Sequence, residues 1–169
     1  DFYARESKQG GAWMSSFVDQ SGLLDHAPVI VNNCNYPAPV GDAPCLLIWD
    51  NVNTLFHEFG HALHGMLSQV RYPYFSGTAT PRDFVEFPSQ FNENWALQPA
   101  IVANYARHHA TGDPMPAELV ERLRRSSTFD QGYATTEYLA AALLVLEWHG
   151  LPAGTKVDDV VAFEKAALE

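Results

Sequence analysis

Basic residues are scarce in this sequence. The chain of 169 residues has 10 Lys and Arg against 20 Asp and Glu, which gives a formal net charge of −10. Nucleic acids and anionic membranes repel such a surface, so the composition argues against both as partners. Hydrophobic residues make up 47% of the chain and charged residues 18%, a balance typical of a globular domain with a core.

Long apolar runs and cysteines are also lacking. None of the apolar runs approaches the roughly 20 residues that a membrane-spanning helix needs. The two cysteines, Cys34 and Cys45, allow one pair at most and lack the Cys-x-x-Cys spacing. We therefore predict two free thiols, a reducing compartment and a cytoplasmic location, with the periplasm as the alternative.

The most informative stretch is His-Glu-Phe-Gly-His at residues 57–61. On an α-helix, residues four apart lie on the same face, so His57 and His61 can direct both imidazoles to one point. Two converging imidazoles supply two corners of a tetrahedral zinc site. Glu58 is rotated by about 100° around the helix and can flank the open side of the metal, where a general base for water belongs. The alternative is a chance match in which the histidines pack in the core.

A catalytic zinc site takes three protein ligands, so a third ligand has to lie elsewhere in the chain. His64 shares the helix face of the pair and cannot help to surround the metal, which predicts a packing role or a contact with a ligand. His108 and His109 are predicted to end a helix, where cations are favourable. Glu86 stands in the apolar segment 84–88, where an ionised carboxylate needs a partner such as zinc. Its alternative role is a helix N-terminal acid stabilised by the helix dipole.

Other kinds of site fit the same residues less well. Glu58 and His61 form a Glu-x-x-His pair of the kind found in helical di-iron proteins, but the chain has no second copy. Two His and one carboxylate also make an iron(II) facial triad, which would leave Glu58 without a role. The metzincin spacing is absent. Two functional alternatives stay open. One is a structural zinc site, which a fourth protein ligand would favour, and the other is a helical interaction module without metal.

Periodicity and turn residues predict a mainly helical fold with a small pair of β-strands. We predict strands at 28–35 and 45–49, paired with each other, and a short helix or an irregular segment at 12–19. A long helix with the histidines comes next, capped by Asp50 or Asn51. Further helices are predicted at 82–97 with a kink at Pro88, from residues 99 and 116 onward, at 133–149 as a fully buried helix, and from about residue 158.

The chain is predicted to form a single unit over residues 1–169, with a strand-containing part at 1–49 and a helical metal-binding part at 50–169. Both ends of the sequence look like cuts from a longer chain. Gly60 interrupts the histidine helix and costs about 1 kcal/mol relative to Ala. Its missing side chain would let another element approach closely beside the metal, or would serve helix packing alone.

Several motifs together resemble the thimet oligopeptidase family of zinc peptidases, and most closely its bacterial peptidyl-dipeptidases, or dipeptidyl carboxypeptidases. The separation of 25 residues from His61 to Glu86 also matches that family. The resemblance covers most of the chain. The matching segments are HEFGHALH at 57–64, SGT at 76–78, PRDFVEFPSQ at 81–90, GGAWM at 10–14, NENW at 92–95 and GY at 132–133.

The resemblance implies a gluzincin, a zincin-like catalytic core within a larger, mostly helical, two-lobed peptidase that cleaves short peptides. It implies one zinc ion per chain, held by His57, His61 and Glu86, with Glu58 activating a water molecule. Polar residues shortly after Glu86 are candidates for orienting that carboxylate. These candidates are Gln90, Glu93 and Asn94.

One departure from the family pattern limits these expectations. The family has a Gly- and Tyr-rich segment that contacts the substrate and the oxyanion, and nothing like it occurs before Glu169. We therefore expect this chain alone to bind zinc but to hydrolyse peptides weakly or not at all. Apolar surface left uncovered on the 133–149 helix would favour self-association.

Overall fold

A computed structural model describes all residues from 1 to 169. The chain is mainly helical and contains one two-stranded antiparallel sheet, so the predicted balance of helix and strand is confirmed. The strands are β1, Trp13–Val18, and β2, Val29–Asn33. The helices are α1, Trp49–Met66, α2, Phe87–Glu93, α3, Pro99–Tyr105, α4, Ala117–Ser126, α5, Gln131–Gly150, and α6, Val160–Leu168, with a short 3-10 turn at Pro73–Phe75.

The chain divides into two compact units, residues 1–115 and 116–169. The first unit holds both strands and the helices α1 to α3, and the second holds α4 to α6. The sheet therefore shares a unit with the histidine helix. The prediction that residues 1–169 form a single unit, with parts at 1–49 and 50–169, stays a prediction.

The strand pairing differs from the predicted one. β1 lies antiparallel to β2, with Trp13 opposite Asn33 and Ser16 opposite Ile30. The predicted strand at 45–49 is wrong, because residues 45–48 are irregular and Trp49 already belongs to α1. The segment 12–19, predicted to be helical or irregular, supplies the real partner strand. The error arises because a short apolar run is compatible both with a strand and with a segment that leads into a helix.

Small residues let α1 pack closely on both sides. A Cβ atom built on Gly65 would lie 2.7 Å from Ile30 Cδ1, so the end of the helix rests against β2. A Cβ atom on Gly60 would lie 2.6 Å from the Cα atom of Ser89, so α2 touches the helix backbone there. The close approach predicted at Gly60 is confirmed. α1 thus packs between the sheet and α2.

The beginnings and ends of several helices differ from the predicted ones. Ile48, without a side-chain cap, precedes α1, and Asp50 lies in its first turn instead of capping it. α2 begins only at Phe87, because residues 82–86 form turns and Pro88 fits a first helical turn, where its missing N–H is not needed. α3 ends at Tyr105, so the two histidines at 108 and 109 lie beyond its end, and the second of them begins a turn.

The second unit contains the longest helix. α5 spans nearly the predicted residues, but the predicted burial is wrong, because none of its residues is buried and Leu146 is 66% exposed. Trp148 on α5 packs against Phe163 on α6 with ring centroids 4.4 Å apart. α6 begins two residues after the predicted start. No helix of the chain combines the length and the apolar character that crossing a membrane requires.

Candidate metal centre

Two histidines on α1 form the base of the site. His57 and His61 are one helical turn apart, and their ring centroids lie 4.9 Å from each other with the ring planes at 83°. The Nε2 atoms of both rings point toward the same carboxylate. This is the convergence that the spacing of four residues predicts for an α-helix.

Glu86 supplies that carboxylate. Its Oε2 atom lies 3.3 Å from His57 Nε2 and 3.1 Å from His61 Nε2. Glu86 immediately precedes α2, and the packing of α2 on Gly60 brings it over the histidine pair. One donor atom from each of the three residues lies within 4.8 Å of the others, so the group could hold a metal ion.

A second carboxylate orients the first histidine. Glu93 Oε1 accepts a hydrogen bond from His57 Nδ1 at 2.6 Å. The other oxygen of Glu93 accepts from the Asn53 amide at 2.9 Å, which fixes the carboxylate in turn. A carboxylate only accepts, so a His57 ring that donates to Glu93 from Nδ1 leaves the lone pair of Nε2 for a metal ion. A histidine that ligates a metal normally has such an outer partner.

None of the three residues predicted to orient Glu86 has a side-chain hydrogen bond to its carboxylate, although one of them contacts another residue of the group. Glu93 contacts His57 instead. Gln90 uses its backbone N–H, which donates to the Glu86 carbonyl oxygen at 2.9 Å. The Asn94 side chain donates to the carbonyl oxygens of Gln90 and Phe91, away from the site.

The residue that sequence reasoning missed is Ser89. Its hydroxyl lies 3.1 Å from Glu86 Oε2 and 2.9 Å from the Glu86 carbonyl oxygen. The spacing could have predicted this contact, because residues three apart on a helical turn lie on one face and Ser89 follows Glu86 by three residues. The neighbouring Asn92 amide donates to the Phe56 carbonyl oxygen at 2.7 Å and fastens α2 to α1.

Glu58 lies on the same helix and is only 7% exposed. Burial raises the pKa of its carboxyl group, while the His57 and His61 imidazoles and a backbone hydrogen bond from Met14 act in the opposite direction. Met14 belongs to β1, so the sheet reaches the site at this point. Glu58 is outside the group of three donor atoms.

His64 is also outside that group. Its ring meets Phe84 edge to face at a centroid distance of 6.2 Å. Burial and the nearby His61 lower the pKa of its imidazole. The contact agrees with the predicted packing role.

Comparisons with known proteins identify the family. The family model of peptidase family M3 matches residues 1–167. Dipeptidyl carboxypeptidases of Salmonella typhimurium and Escherichia coli are 56% and 55% identical over 168 residues, or 99% of this chain and 25% of theirs. Oligopeptidase A of Escherichia coli is 40% identical over 153 residues, or 88% of this chain and 22% of its own.

The matches cover this chain and its relatives unequally. The chain spans about a quarter of the length of the dipeptidyl carboxypeptidases that it matches. The family model nevertheless covers nearly all of the chain, and the resemblance predicted from the motifs is confirmed. The chain belongs to peptidase family M3.

Proposed function

We propose that the protein containing this chain is a zinc-dependent peptidase that hydrolyses short peptides. His57, His61 and Glu86 hold the zinc ion, and Glu58 is the general base. The relatives, dipeptidyl carboxypeptidases and oligopeptidases A, support the class of reaction and of substrate. One observation carries the assignment of the site, the convergence of His57 Nε2, His61 Nε2 and Glu86 Oε2.

The donor atoms fit the proposed ion in chemistry and in spacing. Two imidazole nitrogens and one carboxylate oxygen are a frequent ligand set of catalytic zinc. With zinc–ligand distances of about 2.0–2.1 Å in a tetrahedron, two ligand atoms lie about 3.3 Å apart. The two nitrogen–oxygen separations are 3.1 and 3.3 Å. A group of three protein ligands favours a catalytic site over a structural one, which would need a fourth.

The chemistry divides between the ion and the residues around it. Zinc bound by this group supplies Lewis acidity, which acidifies a water molecule and polarises the peptide carbonyl. Glu58 accepts the proton of the attacking water and delivers it to the leaving amine. Its low exposure keeps bulk water away from the transferred proton. Glu93 keeps the His57 ring in the tautomer that ligation requires.

The first expected result concerns the ligands. The complete protein should bind one zinc ion per chain, and Glu86→Ala should weaken binding strongly because it removes one of three donor atoms. Competition with a chromophoric chelator gives the zinc affinity, and elemental analysis gives the stoichiometry. Asp83→Ala is the matched control, since it removes an exposed carboxylate three residues away. Zinc affinity that survives Glu86→Ala but is lost in His64→Ala would overturn the ligand assignment.

The second expected result concerns the outer carboxylate. Glu93→Gln should lower zinc affinity by about 10- to 100-fold, because His57 loses a charged acceptor at 2.6 Å. Asn94→Ala changes the adjacent residue, whose amide bonds only to backbone oxygens, and should leave the affinity unchanged. Equal zinc affinity of Glu93→Gln and the wild-type protein would show that Glu93 does not support ligation.

A further inference from the structure

We propose that Ser89 is a positioning residue for Glu86 and holds the carboxylate in the orientation that completes the metal centre. This inference rests on the proposed zinc site. It assigns a role to a buried hydroxyl that the chemistry of the ligands and the general base does not use.

Glu86 needs such a partner because of where it stands. The residue precedes α2 and has helical dihedral angles, but its side chain is 52% exposed. An exposed glutamate samples several rotamers, and fixing one of them costs side-chain conformational entropy. The histidines are held by the packed helix α1, whereas the carboxylate has no comparable support from its own backbone.

The hydrogen of the Ser89 hydroxyl has two acceptors within reach, the Oε2 atom and the carbonyl oxygen of Glu86. The carbonyl oxygen already accepts from the Gln90 N–H at 2.9 Å. The carboxylate oxygen, at 3.1 Å, has no other hydroxyl or amide donor in the chain, and a carboxylate is a stronger acceptor than a carbonyl oxygen. We therefore infer that the hydroxyl donates to Oε2, although the carbonyl oxygen is slightly nearer, at 2.9 Å. This is the same oxygen that faces the Nε2 atoms of both histidines.

The position of the hydroxyl is itself fixed by α1. Ser89 is 0% exposed, and its Cα atom lies against Gly60, between the two histidines of the helix. The helix that carries the histidines therefore also sets the place of the serine. By contrast, the exposed Ser126 of α4 donates only to a backbone oxygen, that of Leu123 at 2.8 Å.

Zinc affinity of the Ser89→Ala variant of the complete protein tests the proposal. We expect it to fall by about tenfold or more, the range found for lost outer contacts of metal ligands. The absorption spectrum of the cobalt(II)-substituted protein should change as well, since it reports the geometry of the ligands. Ser21→Ala is the control, because Ser21 is the other fully buried serine and its hydroxyl bonds to the loop at Leu24 and Arg71.

A double-mutant cycle separates positioning from general stability. In a protein that already has Glu86→Ala, the further change Ser89→Ala should have no effect on zinc affinity, because the group to be positioned is gone. Thermal unfolding of the metal-free variants accompanies both measurements. A loss of affinity that persists at full size without Glu86 would overturn the proposal, as would a Ser89→Ala affinity within twofold of the wild type.

The two proposals fail in different ways. A wild-type protein that binds no zinc would overturn the proposed function and this inference with it. A wild-type protein that binds zinc through Glu86, with Ser89→Ala unchanged in affinity and in cobalt spectrum, would overturn only the role of Ser89.

Discussion

Glu58→Gln in the complete protein is expected to reduce peptide hydrolysis by about 10³-fold or more while zinc content stays unchanged. Glutamine has nearly the same shape as glutamate but cannot take up a proton from water, and a general base contributes about 10²–10⁴-fold. Glu58 stands beside the two histidines, is almost fully buried and is outside the group of ligand atoms. The change therefore removes proton transfer and spares the metal.

The measurement compares turnover of a quenched fluorescent peptide with zinc content in the same preparations. Glu86→Ala should instead lose zinc, and its turnover should fall as a consequence of the missing metal. Glu137→Gln, an exposed position on α5, is the control for the substitution itself. If Glu58→Gln retains more than a tenth of the wild-type turnover, another group is the base.

The histidine pair was predictable because its geometry is local. A spacing of four residues places two side chains together on an α-helix whatever the rest of the chain does. Glu86 was predictable in a different way, since a carboxylate within an apolar segment needs a partner and the motifs resemble a family with an acid at that distance. That reasoning identified the residue, but not the contact between α2 and α1 that brings it to the pair.

The rest depended on contacts between distant parts of the chain. The partner of β2 proved to be β1, because strand pairing is decided by tertiary packing rather than by the apolar run at 45–49. Glu93 was predicted to orient Glu86 but forms a hydrogen bond with His57, because the packing of α2 on α1 brings its carboxylate to that ring. The Ser89 contact depends on the same docking. The apolar character of α5 predicted burial, but the helix contains no buried residue.

The second large effect is expected from Gly60→Ala. The new Cβ atom would lie 2.6 Å from the Cα atom of Ser89 and 2.9 Å from the Pro88 carbonyl oxygen, and backbone atoms cannot yield unless α2 moves. Overpacking of this kind destabilises by about 1–3 kcal/mol. The higher helix propensity of Ala offsets about 1 kcal/mol of that, so the change in unfolding free energy is modest. A displaced α2, however, moves Glu86, Ser89 and Glu93 together.

Zinc affinity is therefore expected to fall more than stability does, by about 100-fold, since ligand geometry and its outer support are disturbed at once. Chelator competition and thermal unfolding of the complete protein measure the two effects. Gly132→Ala is the matched control, because this helical glycine of α5 has nothing within 4 Å of a built Cβ atom and should tolerate Ala without loss. An unchanged zinc affinity of the Gly60→Ala variant would contradict this expectation. It would show that α2 can shift along α1 without moving Glu86 away from the histidines, and that the close approach at Gly60 serves helix packing alone.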